Sequence, residues 1–120
     1  MSTLAQWLPI VGAILTLLIG LIGFFKPRLI LDPMGMKLET PSAVSEARAV
    51  FGGMNLGPAV AALVMNEPII FTLLGIAWST LLLARFWSLA VDGISLKDAV
   101  PGIVVDAVLA FLFLSPLLLT

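Results

Sequence analysis

Residues 7–25 read WLPIVGAILTLLIGLIGFF, an apolar run without a single ionisable side chain. A helix needs about 20 mostly apolar residues to cross the roughly 30 Å hydrocarbon core of a bilayer. The run has that length, and it predicts a transmembrane helix. No Lys or Arg precedes it and no small-residue cleavage site follows, so the expectation is a retained span and not a signal peptide. Trp7 suits an anchor at the outer interface.

Working outward, the next stretch is the longest polar interruption in the chain. Pro27, Pro33 and Pro41 punctuate it, and Lys26, Arg28, Asp32, Lys37 and Glu39 charge it. It predicts a loop over 26–43, in which 28–31 can lie in the interface as a short amphipathic turn. A second span is expected over 45–65, opening on Glu46 and Arg48 and carrying Gly52, Gly53, Asn55, Gly57 and Pro58. Such a glycine-rich run makes a poor helix in water; neighbouring helices in a membrane re-satisfy the backbone groups it frees. Pro58 is expected to bend it. Asn66-Glu67-Pro68 is a tight turn with proline at a first helical position. A third span follows over 68–91, stopped by Asp92-Gly93, and a fourth over 98–119. The short connections make spans two, three and four antiparallel neighbours.

The fold class is therefore all-α, a four-transmembrane-helix bundle forming one integral membrane domain over 1–120. Lys26, Arg28, Lys37 and Lys97 fall in the first and third loops, and the termini and second loop have no Lys or Arg. Cytoplasmic loops carry the positive excess, which predicts both termini on the non-cytoplasmic side.

Composition agrees with lipid as the solvent. The chain is 61% hydrophobic and only 11% charged, with a mean hydropathy of +1.19. Soluble domains carry roughly 25% charged residues, and one this small could not hide so much apolar surface. A net charge of -1 gives no basic patch for nucleic acid. There is no Cys, His or Tyr. Disulfides, thiol catalysis and zinc-thiolate sites are thereby excluded, and the commonest general base and metal ligand is missing. No catalytic residue, cofactor or metal is expected, and composition points away from an enzyme.

Small residues mark helix contacts in lipid, where tails do not drive helices together. Span one offers Gly12, Thr16 and Gly20, span two Ala49, Gly53, Gly57 and Ala61, and span four Gly102, Asp106 and Ala110, each at four-residue spacing. Gly52, Gly53 and Gly57 are the helix-packing candidates. They form either a seam within the bundle or an interface with a second copy or a partner subunit.

A charge inside a spanning helix costs about 2.5–3.5 kcal/mol on insertion scales, so each needs a partner. At ~1.5 Å per residue, Arg85 lies roughly 9 Å and Asp106 roughly 12 Å inside the ends of their spans. Glu46, Arg48, Asn55, Arg85 and Asp106 form the expected intramembrane polar cluster, on spans two, three and four. Arg85 is expected to pair with Asp106, and Arg48 with Glu46 of a neighbouring copy or with Asp106. The cluster serves either as a clasp that fixes helix register or as a cytoplasm-facing site for transport.

Residues 46–57, EARAVFGGMNLG, resemble the bacterial domain of unknown function 4345 family, small four-span proteins whose second helix opens on Arg-x-x-x-Gly-Gly-x-x-x-x-Gly. Arg48, Gly52, Gly53 and Gly57 fill that signature. The resemblance implies a bacterial inner-membrane protein and no established activity. The leading expectation is a non-enzymatic accessory or assembly subunit, or a homo-oligomer, whose partners are the bilayer and a second copy or larger complex. The alternative is a small transporter or channel using the polar cluster. Four-helix drug exporters carry an unpaired acid in their first span, and this chain has none there. The least favoured expectation is a lipid-binding protein whose basic edge meets anionic headgroups.

Overall fold

The computed structural model describes residues 2–119. Among them are four helices long and apolar enough to cross a membrane, and no strand. Helix α1 (Ser2–Phe25) is the first of these. Pro27 ends it, because a proline ring disfavours helical backbone at the residue before it. One short turn follows, α2 (Arg28–Leu31), with Leu31 fully buried. Gly35 then turns the chain at φ 80°, a conformation that strains any residue with a Cβ.

The second span is built in three pieces. Helix α3 (Pro41–Ala47) begins where the Thr40 side chain accepts the Ala43 N–H at 3.0 Å and Pro41 takes the first helical position. That cap starts the helix ahead of the apolar run. Arg48–Gly53 is then wound as a π-helix, in which the Met54 N–H reaches the carbonyl of Ala49. Helix α4 (Met54–Met65) resumes ordinary winding, with Pro58 inside it, and closes on Asn66 at φ 49°. Helix α5 (Pro68–Val91) starts on its proline, and Gly93 at φ 71° breaks the chain after it. The Ser95 hydroxyl accepts the Asp98 N–H at 3.2 Å and so starts α6 (Leu96–Leu118).

The helices gather into two compact units. One takes α1 up to Gly12 together with the hairpin of α5 and α6. Here α5 buries Phe71, Leu74, Gly75 and Trp78, spaced by three and four, while α6 buries Asp106, Leu109, Ala110 and Phe113. The Phe71 and Phe113 rings stack with centroids 6.4 Å apart. Gly75 lets the Leu114 side chain in close: a Cβ there would stand 2.5 Å from its Cδ2.

The other unit is Ala13–Asn66. In it α1 lies against span two backbone to backbone. A Cβ on Gly52 would stand 2.5 Å from the Phe24 N and Cα, and one on Gly23 would stand 2.6 Å from the Phe51 carbonyl. Gly20 meets Leu56 in the same way, at 2.7 Å from its N. Packing thus differs from the four-residue row read in the sequence. Gly52 is the contact, and a Cβ on Gly53 or Gly57 would meet nothing within 4 Å. The contact follows the neighbouring row of the same helix, Arg48, Gly52 and Leu56, which is also spaced by four residues.

Candidate functional site

Two arginines lie within the spans, and the two units satisfy them differently. Arg85 sits about 9 Å back along α5 from Val91, and Asp106 about 15 Å along α6 from Leu96. Helical Cα–Cβ bonds tilt toward each helix's own N-terminus. In this antiparallel hairpin that tilt leans Arg85 into the span and Asp106 toward it. The two meet: the Arg85 Nε donates to the Asp106 Oδ2, the only ion pair among the described residues.

Gly102, one turn before Asp106 on the same face of α6, makes room for the guanidinium. A Cβ at Gly102 would stand 2.5 Å from the Arg85 Cζ and Nη1. Gly102 and Asp106 together are therefore a seat for a cation, one removing a side chain and the other supplying a carboxylate. Asp106 is only 1% exposed, whereas the Arg85 side chain keeps 32% of its surface. The second carboxylate oxygen, Oδ1, is buried without a hydrogen-bond partner among the described residues. An acceptor so placed is where a donor, from water or a ligand, belongs.

Arg48 does not reach Asp106, one of the two partners expected for it; the other, Glu46 of a neighbouring copy, lies outside a single chain. Arg48 finds no carboxylate among the described residues, and its Nη1 donates to the backbone carbonyls of Phe24 and Phe25, the latter at 3.1 Å. Those are the last residues of α1, whose final carbonyls have no partner within the helix. Arg48 is thus a C-terminal cap supplied by another helix, and its charge opposes the negative end of the α1 dipole. Gly52, four residues on, admits the α1 backbone that Arg48 caps.

Asn55 also turns to backbone. Its Nδ2 donates to the Phe51 carbonyl at 2.8 Å, at the join between π and α winding. Glu46 is exposed and forms no ion pair among the described residues. The structure therefore pairs Arg85 with Asp106 and sets Arg48 and Asn55 on main-chain oxygens. Sequence reasoning missed Gly102 as the guanidinium seat and Gly23 as the facing contact of span one. Gly102 was legible as the residue one turn from an intramembrane acid, but Gly23 lies outside the Gly12, Thr16, Gly20 row.

A family model described as a domain of unknown function (DUF4345) matches residues 4–117, nearly the whole chain. No curated protein and no solved structure matches it.

Proposed function

We propose, for a chain that belongs to the DUF4345 family, a non-enzymatic role as an accessory or assembly subunit or as a homo-oligomer. Its setting in this reading is a bacterial inner membrane, with both termini on the non-cytoplasmic side. One observation carries it. Gly53 and Gly57 stand a turn apart on span two, exposed, with open space where side chains would be. In lipid such a pair lets a second helix approach closely. The missing residue types, Cys, His and Tyr, leave little for catalysis to use.

The test is the oligomeric state of the full chain in mild detergent and in nanodiscs, by native mass spectrometry and cross-linking. The expected result is a dimer, a higher oligomer or a co-purifying membrane protein, lost in Gly53→Leu and Gly57→Leu with the monomer still folded. A chain that stays monomeric and alone sinks the proposal.

Transport is the second reading, favoured by the unpartnered Asp106 Oδ1 within a span. Buried ionisable groups in membranes line substrate and ion paths. Proteoliposome flux abolished by Asp106→Asn in a variant of normal fold supports it, and no flux above empty vesicles discards it.

A further inference from the structure

Arg48 carries a positive charge that no carboxylate among the described residues offsets. Its Nη1 is committed to the Phe24 and Phe25 carbonyls, and its Nε and Nη2 have no acceptor among the described residues. Gly52 and Gly23 bring span two to backbone contact distance of α1, which sets the Arg48 backbone beside the end of α1, where the Phe24 and Phe25 carbonyls accept its guanidinium.

That end lies at the edge of the hydrocarbon. The apolar part of α1 is Thr3–Phe25, about 34 Å long at 1.5 Å per residue, against a hydrocarbon core of roughly 30 Å. The capped carbonyls therefore come out where glycerol and phosphate begin. The residues that carry them also present exposed rings: Phe24 is 42% and Phe25 62% exposed, with centroids 4.9 Å apart at 59°. Lys26 and Arg28 follow at once in the chain, both exposed. Arg28 spends one nitrogen on the Leu38 carbonyl at 2.8 Å. The acids of this unit are Asp32, Glu39 and Glu46, and none forms an ion pair among the described residues. Glu46 is two positions before Arg48, a spacing that does not bring helical side chains face to face.

We propose that Arg48, with Phe24 and Phe25, binds the phosphate headgroup of an anionic phospholipid. The free Nε–Nη2 edge takes two phosphate oxygens, a geometry that a guanidinium fits and an ammonium does not. The acyl chains lie along the two phenylalanine rings, and Lys26 adds charge to the same headgroup. This binding goes beyond the subunit role and stands whether or not the chain self-associates.

The experiment is lipid retention by the full chain. The protein is reconstituted in nanodiscs of phosphatidylglycerol and phosphatidylcholine in equal parts, extracted, and its bound lipid is counted by native mass spectrometry. The wild-type chain is expected to retain phosphatidylglycerol in preference, at one or two per chain. Arg48→Gln is expected to lower that preference about five-fold, the factor for one basic residue at a charged surface. Lys37→Gln, a change of equal charge in the preceding loop, is expected to leave it within two-fold. Equal losses in both variants reduce the effect to unspecific charge and overturn the site.

A second arm separates sources of phosphate. If inorganic phosphate stabilises the chain in pure phosphatidylcholine through Arg48, while phosphatidylglycerol earns no preference, the ligand is soluble and the lipid proposal fails. A third arm covers an Arg48→Gln chain that does not fold. Photoreactive phosphatidylglycerol on the wild-type chain is expected to label 24–28 and 48, and labelling spread evenly along the spans refutes the proposal.

Discussion

Breaking the Arg85–Asp106 pair from either side should cost different amounts, and the difference tests the geometry. Arg85→Gln leaves a carboxylate that is 1% exposed with neither oxygen on a cation. Leaving one member of a buried pair uncompensated costs about 3–5 kcal/mol. Asp106→Asn strands the guanidinium instead. That side chain is already one-third exposed and has a long stem that can swing toward the headgroups, so the loss is closer to that of one charged hydrogen bond, about 1.5–3 kcal/mol. The double variant removes both charges, and its cost should fall below the sum of the two by up to about 3 kcal/mol. Unfolding in mixed micelles with increasing dodecyl sulfate measures all three. Trp78, buried on α5, reports the hairpin by its fluorescence, against the exposed Trp7 and Trp87. Additive costs in the double variant, or an Asp106→Asn loss as large as that of Arg85→Gln, would refute the reasoning.

Gly102→Ala tests the same pair without touching a charge: the added Cβ meets the end of the flexible Arg85 side chain, which can shift while its charge stays near Asp106, so the loss should be smaller than that of Arg85→Gln, about 1–3 kcal/mol for overpacking. Gly52→Ala should destabilise the chain by about 1–3 kcal/mol, the cost of overpacking, because its Cβ runs into Phe24 backbone that cannot give way. Gly53→Ala meets open space and should gain up to about 1 kcal/mol in helix propensity; the same micelle titration compares the two. Gly75→Ala should fall between them, since the clash is with the end of the Leu114 side chain, which can turn away. An unfolding midpoint unchanged from wild type would show that Leu114 adapts without loss.

Much of this fold is legible in the chain because lipid makes the rules few. Four apolar runs bounded by proline, glycine and charge read as spans, but the caps at Thr40 and Ser95 went unread, and they start helix at Pro41 and Leu96, ahead of the expected 45 and 98. The pairing of Arg85 with Asp106 was legible too, since each needs a partner and the short connection makes their helices neighbours. The π turn at Arg48–Gly53 was not. Four-residue spacing presumes α winding, and a Gly-Gly pair signals freedom without saying how the backbone uses it. Spacing alone also does not say which of two adjacent rows faces α1, and the contact follows Arg48, Gly52 and Leu56. A second contact went unread for a different cause: a search for carboxylate partners overlooked main-chain oxygens, although the open end of α1 offers carbonyls that must be satisfied.

That second point bears on which arginine can attract an anion. Asp106 brings a full negative charge to Arg85, and the pair is neutral to anything outside it. The carbonyl end of α1 offers Arg48 only a dipole, equivalent to roughly half a charge. Arg48 therefore keeps a net positive charge at the lipid edge, with donors to spare. A preference for anionic lipid should accordingly survive Arg85→Gln in a folded chain and fall about five-fold with Arg48→Gln. The same comparison separates the site from general basicity, because both variants change the net charge of the chain by one. If the lipid preference instead tracked net charge, falling equally in the two, the caps and carboxylates described here would have no part in it.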